Sequence, residues 1–197
     1  MRTLVVYCHP CPESFNAGVL AAVTETLAAG GHDVRVRDLY AEGFDPLMSA
    51  DERRGYHDEG ANIVPVSKYV DDITWCELIV FVYPTWWYGL PAMLKGWFDR
   101  VWLPHVTFSM PTDAKGSRPK MQHIRGIAVV TTCGATWWLS KIVGEPGRKT
   151  ILRGLRALCA PRCRTLYLAH YKMDTSTPES RSRYLAMVRK RLSKFAN

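Results

Sequence analysis

A chain of 197 residues, 47% of them apolar, with 26 Lys and Arg against 18 Asp and Glu, is long enough to bury its own core and is expected to form one domain over 1–197. No window approaches the roughly 18 uninterrupted apolar residues of a membrane span. The start, Met1-Arg-Thr-Leu-Val-Val-Tyr7, runs into the fold without a small-residue cleavage site, so neither an integral membrane segment nor a signal peptide is expected, and the location expected is cytoplasmic.

Thr3–Tyr7 reads as a first strand, ending at Cys8-His9-Pro10. Pro10 and Pro12 force a loop. Ser14-Phe15-Asn16 then opens a helical pattern to about Ala29, closed by Gly30-Gly31. A loop feeding a helix start offers unpaired N–H groups and a positive dipole end, which places Ser14, Phe15 and Asn16 to hold a phosphate or pyrophosphate. The plainer reading makes Ser14 an N-cap, and both can hold because they use the same donors. Neither G-x-G-x-x-G nor G-x-x-x-x-G-K-[ST] occurs, which argues against a dinucleotide-type Rossmann domain and a P-loop NTPase. Cys8 and Cys11 have C-x-x-C spacing, and Cys159 and Cys163 form a second isolated pair. Buried thiols in a reducing compartment suit the six cysteines better than disulfides or zinc, and no metal is expected.

His32–Asp38 alternates as a strand near a sheet edge, followed by a charged, Gly-containing stretch to about Pro65 and a short helix over Val66–Trp75. Leu78–Tyr83 is an unbroken apolar run suited to a strand buried on both faces. It stops at Pro84, crosses the loop Thr85-Trp86-Trp87-Tyr88-Gly89, and restarts at Pro91 as a helix to about Trp102. Three consecutive loop aromatics are costly to leave in water, so a flat ligand, the top of the core or a dimer contact is expected to cover them. A second irregular stretch, 103–125, leads to a fourth strand, Gly126–Thr132, ending in Thr131-Thr132-Cys133-Gly134.

Helix resumes over Thr150–Leu158, a fifth strand spans Arg162–Ala169, and Thr177-Pro178-Glu179 caps a last helix with Tyr184, Leu185, Val188 and Leu192 on one face. Residues 148–197 hold 13 Lys and Arg against two acids, Asp174 and Glu179. A solvated face beside an anionic cofactor or substrate explains this better than a nucleic-acid surface, which would interleave aromatics. The alternation predicts an α/β flavodoxin-like three-layer sandwich around a five-stranded parallel sheet of order 2-1-3-4-5, with its ligand at the carboxyl ends of the strands.

The run Tyr83-Pro-Thr-Trp-Trp-Tyr-Gly-Leu-Pro-Ala-Met-Leu-Lys-Gly-Trp-Phe-Asp-Arg-Val101 closely resembles the flavin-contacting segment of the flavodoxin-like NAD(P)H:quinone oxidoreductases, the DT-diaphorase group. The resemblance implies that Pro84, Thr85, Trp86, Trp87 and Tyr88 line the isoalloxazine. It also implies that His9, Pro10, Ser14, Phe15 and Asn16 cradle the flavin phosphates, and that Thr131, Thr132, Cys133 and Gly134 meet the polar edge of the ring. Arg181 and Arg183 fall where the family places an Arg near the adenylate of FAD, which leans towards FAD over FMN. The 38–46 region and the 103–125 stretch imply a homodimer, the latter folding over the neighbouring subunit's flavin. Where the family bears two tyrosines there, this chain has Phe108 and Met110, an apolar wall towards the substrate. The family's Tyr and His beyond the fourth strand have no clear counterpart. Trp138 stands near the tyrosine's place, where an indole can stack but supplies no phenol, and Lys141 or Arg148 would have to supply charge.

The function expected is flavin-dependent two-electron transfer from NAD(P)H to a quinone or related electron-poor aromatic by a ping-pong route, the flavin carrying the chemistry and no general acid or base being assigned. The alternatives are a regulatory flavoprotein docking through its basic C-terminal region on a membrane transporter, and a one-electron carrier of the flavodoxin kind.

Overall fold

The computed structural model describes residues 1–112 and 116–197. Five parallel strands lie in the order β2-β1-β3-β4-β5: β1 Arg2–Tyr7, β2 Asp33–Asp38, β3 Leu78–Thr85, β4 Gly126–Cys133 and β5 Arg164–His170. This is the topology the alternation of elements predicts. The unbroken apolar runs of β3 and β4 are explained by the two cores that meet at the sheet. Ile79 and Phe81 of β3 with Ile127 and Val129 of β4 face one core. Leu78, Val80 and Val82 with Ala128 and Val130 face the other. Leu78 to Val82 and Ile127 to Val130 are apolar without a break because both faces are roofed.

One roof is α1 (Phe15–Ala29) with the C-terminal helix, whose Val188 and Leu192 pack against Val19, Val23 and Leu27. The other carries α3 (Ser67–Trp75) and α4 (Ala92–Val101), with a short α2 (Ala50–Arg54) on the strap between β2 and α3. Two helices follow β4, α5 (Trp137–Val143) and α6 (Pro146–Lys149); α6 passes into a π-turn over Thr150–Gly154 and a 3-10 turn over Leu155–Leu158. The last helix is α7, Pro178–Ala196, with Thr177 as N-cap and Pro178 at its first turn, as the sequence predicts.

Several boundaries differ from the sequence reading. The third strand continues past Pro84 to Thr85, because Pro84 lies opposite Thr132 at the strand's end, where a missing N–H costs little. Pro91 is the N-cap of α4 rather than its first helical residue. α5 was not expected, and the single helix read over Thr150–Leu158 begins earlier, at Pro146, and changes pitch twice. The 103–125 stretch is irregular, held by isolated bridges Pro104–Phe108 and Phe108–Pro119; Asp113 to Lys115 within it lie outside the described residues. Among the described residues no helix is long and apolar enough to cross a membrane.

The register places the site. Tyr7 pairs with Val82, Val82 with Val130 and Thr132 with His170, so all the strands release their loops along one rim.

Candidate functional site: a cleft on the carboxyl rim of the sheet

The first wall of the site comes from the β1–α1 loop. Ser14 is extended (φ −70°, ψ 158°) and its Oγ accepts from Ala17 N at 3.3 Å. Capping Ala17 leaves the amides of Phe15 and Asn16 at the positive end of a 15-residue helix, a ready seat for an anion. Asn16 is almost wholly buried; its Nδ2 donates to Thr132 Oγ at 3.0 Å, which ties this wall to the end of β4, while Oδ1 has no partner among the described residues. Because a threonine hydroxyl can donate or accept, either end of this amide can be the free one. His9 is held by its own loop, Cys11 N donating to Nδ1 at 3.0 Å, and its ring stands 6.3 Å from that of Trp86.

The second wall is the β3–α4 loop, and its three aromatics part company. Gly89 N donates to Trp86 O at 2.9 Å, closing a tight turn whose two central residues, Trp87 and Tyr88, have positive φ (47° and 61°). That is a type I′ geometry, which usually takes Asn and Gly. The reversal turns Trp86 to the cleft, leaves Trp87 95% exposed, and turns Tyr88 into a separate small cavity. The third wall is the end of β4. Thr131 Oγ donates to Tyr83 O (2.6 Å) and lies 2.9 Å from Thr85 Oγ, so it fixes the floor without lining the cleft. Gly134 does line it, and a Cβ there would collide with the Asp174 carboxylate.

His9, Ser14, Phe15, Asn16, Pro84, Thr85, Trp86, Thr132 and Gly134 thus surround one cleft of about 350 Å³. Other residues named from the sequence lie outside it. Cys133 faces the far side, its Sγ 3.6 Å from Ser140 Oγ. Arg181 bonds Ser176 Oγ (3.4 Å) near the start of α7, and Arg183 is exposed one residue beyond the next. Phe108 and Met110 are half-buried in the irregular stretch, and Trp138 is exposed on α5. Met173 and Asp174, from the loop after β5, line the cleft without having been singled out. Their loop sits beside β4 only through the sheet order, a long-range fact that no local pattern carries.

The C-x-x-C pair is split, Cys11 exposed and Cys8 buried, so the expectation of six buried thiols holds for the other five cysteines and fails at Cys11. Cys8 is fully buried, and burial pushes its thiol up to about 12, the opposite of what a redox thiolate needs. Among the described residues no group of three or more His, Cys, Asp or Glu is placed to hold a metal ion. The donor set fits a phosphate-tailed aromatic: helix-start amides and an unsatisfied buried amide at one end, an indole and two threonines at the other.

Fold and cleft together define a flavodoxin-like protein, and a family model for the flavodoxin-like fold matches residues 1–191. The NAD(P)H dehydrogenase (quinone) 1 of Cavia porcellus is 31% identical over 150 residues, covering 68% of this chain and 54% of that one. Among solved structures, Smu.1420 from Streptococcus mutans UA159 superposes with a TM-score of 0.85 at 28% identity, covering 98% of this chain and 100% of that one. An NAD(P)H:quinone oxidoreductase from Methanothermobacter marburgensis gives 0.82 at 24% identity, covering 100% and 98%. The chain belongs to the flavodoxin-like family that contains the NAD(P)H:quinone oxidoreductases. Its matches span about half the length of the first curated relatives.

Proposed function

We propose that this protein is an FAD-dependent NAD(P)H:quinone oxidoreductase that works as a homodimer and accepts quinones or similar electron-poor aromatics. The observation that carries the reading is the convergence of the loops 9–16, 84–89 and 131–134 on one rim cleft. When bound, the flavin supplies a ring that takes hydride from a reduced nicotinamide and passes two electrons to the acceptor.

The chain's own residues bind and orient. The α1 start, with Ser14, Phe15 and Asn16, holds the phosphates, and His9 and Trp86 flank the path from phosphate to ring. Thr85, Thr132 and Gly134 meet the polar side of the ring, with Thr131 fixing Thr85 from beneath. Support for FAD over FMN comes from Arg181, which lies on the Phe15–His170 side beyond the helix start and acts electrostatically on His170. A second phosphate or an adenylate would extend that way. Phe108 and Met110 suit the apolar cover of a neighbouring subunit's site, and the exposed Trp87, Trp137, Trp138 and Ile142 leave an apolar rim for a second copy.

Heating the purified protein and identifying the released cofactor tests the reading directly. FAD is the expected product, and a protein that retains no flavin after reconstitution removes the assignment. Steady-state kinetics with NAD(P)H and a quinone should give parallel lines; intersecting lines, requiring a ternary complex, would overturn the shared-pocket mechanism.

A further inference from the structure

Behind the aromatic loop lies a second group of polar side chains that the cleft does not use. Glu145 is 8% exposed and accepts three hydrogen bonds: from Lys141 Nζ (2.5 Å) and Arg148 Nη1 (2.8 Å) at Oε2, and from Tyr171 Oη (2.7 Å) at Oε1. Its donors come from the last turn of α5, from α6 and from the exit of β5, three elements that otherwise end separately. The carboxylate sits at the reversal between α5 and α6, where Gly144 (φ 94°) and Glu145 itself (φ 48°, ψ 60°) both adopt left-handed backbone. For a non-glycine residue that conformation is costly, and it persists only where the surroundings fix it.

The reversal touches the ring site. Gly147, two residues on, is buried so tightly against the end of the aromatic turn that a Cβ would lie 3.2 Å from Gly89 C and 3.3 Å from Leu90 N. A small cavity of about 10 Å³, room for at most one water, has Thr85, Tyr88, Cys133, Glu145, Arg148 and Tyr171 among its lining residues. Thr85 is common to this cavity and to the cleft.

We infer that Glu145 is a positioning residue of the ring site: its buried carboxylate clamps the α5–α6 reversal against Gly89 and Leu90, and so fixes the strained Trp86–Gly89 turn that forms one wall of the cleft. This rests on the function proposed above for the identity of the ligand, but not for the clamp. Burial raises the carboxyl, yet the hydrogen bonds from Lys141, Arg148 and Tyr171 outweigh it and hold the group below its ordinary range, so the clamp is charged at neutral pH.

Hydrogen exchange on the flavin-free protein reads the clamp without any cofactor. In Glu145→Ala, peptides spanning 84–91 should exchange about tenfold faster, with the strand peptides 1–7 and 126–133 unchanged. Gly147→Ala keeps the carboxylate and its donors but drives a methyl against Gly89, and should quicken the same peptide. Should Glu145→Ala not fold, Tyr171→Phe, which removes the Oε1 donor and keeps the ring, decides the matter by the same readout. Oxidised FAD titrated into Glu145→Ala or Gly147→Ala should bind about tenfold more weakly than to the parent, as when a supporting residue behind a site is lost. Unchanged exchange at 84–91 in the folded variants overturns the inference, and so does an equal rise in every peptide, which would make Glu145 a general stabiliser. Failure of the parent itself to bind any flavin strikes the proposed function and leaves the exchange result standing.

Discussion

Trp87 occupies a backbone conformation that a tryptophan disfavours, and with 95% of its surface exposed its side chain recovers nothing from the fold. Left-handed backbone costs a residue with a Cβ roughly 1–2 kcal/mol. Trp87→Gly should therefore stabilise the flavin-free protein by up to about 1 kcal/mol in urea unfolding, since little buried surface is lost with the indole. A fall in stability would show that the ring packs in a way its exposure denies. If a flavin or a second copy covers Trp87, the same variant should weaken that binding, so stability and affinity move in opposite directions. At Ser14 they should move together. Ser14→Ala removes the cap on Ala17, costing about 1 kcal/mol of stability, and takes a polar group from the phosphate end of the cleft. Loss of stability with unchanged FAD affinity would reduce Ser14 to a cap alone. Both residues were legible in the sequence because their neighbours announce a loop: two prolines before Ser14, and Pro84 and Gly89 around Trp87. That Trp86, Trp87 and Tyr88 would face three directions was not legible, since it follows from the two positive φ angles of the turn.

The helix α4 follows the aromatic loop, and it meets the strap after β2 at Gly96 against Pro46 and at Arg100 against Asp45 and Glu52. In an exposed helix interior, Gly to Ala gains about 1 kcal/mol. Here the added Cβ would collide with the carbonyl oxygen, Cα and Cβ of Pro46, atoms of a constrained backbone that cannot swing aside. Overpacking of this kind costs about 1–3 kcal/mol, so the steric effect wins and Gly96→Ala should lower the melting temperature. A rise would mean that the strap yields, and that Phe44 and Pro46 do not brace α4. Strands and long helices were readable because apolar runs and punctuating Gly and Pro coincide in them. α5 escaped because it is seven residues long, with Trp137, Trp138, Ile142 and Val143 exposed, so no buried stripe marks it. The cluster around Glu145 half showed itself: Lys141 and Arg148 stand four residues before and three after it, a spacing that pairs charges along a helix. The chain breaks its helix at Gly144, however, and the third donor, Tyr171, comes from 26 residues away, so neither the geometry nor the full set could be inferred from spacing.

Over the whole molecule the same rim that gathers the ligand loops also buries a titratable group. His170 ends β5 opposite Thr132, is 8% exposed, and stands between the rings of Phe15 (5.8 Å) and Tyr184 (5.2 Å), with Nδ1 unpartnered among the described residues. It therefore joins α1, β4, β5 and α7 at one point. Burial, aided by the charge of Arg181, lowers its pKa from the ordinary 6.5. The unfolded chain then takes up a proton before the folded one does, and protons bound preferentially by the unfolded state make stability rise with pH. Stability is thus full above 6.5 and is lost progressively as the pH falls from there towards the folded value. His32, lowered first by burial and next by the chain's own amino terminus, adds to the same window. Below about 4.5 a second loss begins as Glu52 and Glu145 protonate, both held beneath that value by hydrogen bonds to arginine and other donors that outweigh their burial. Melting temperatures taken from pH 8 to about pH 3 should trace these two descents. In His170→Asn the upper one should become shallower, and in the variant that also carries His32→Asn shallower again, leaving the lower one in place. An upper descent that keeps its slope in the double variant would mean that the rim's protonation is not what acid first disturbs.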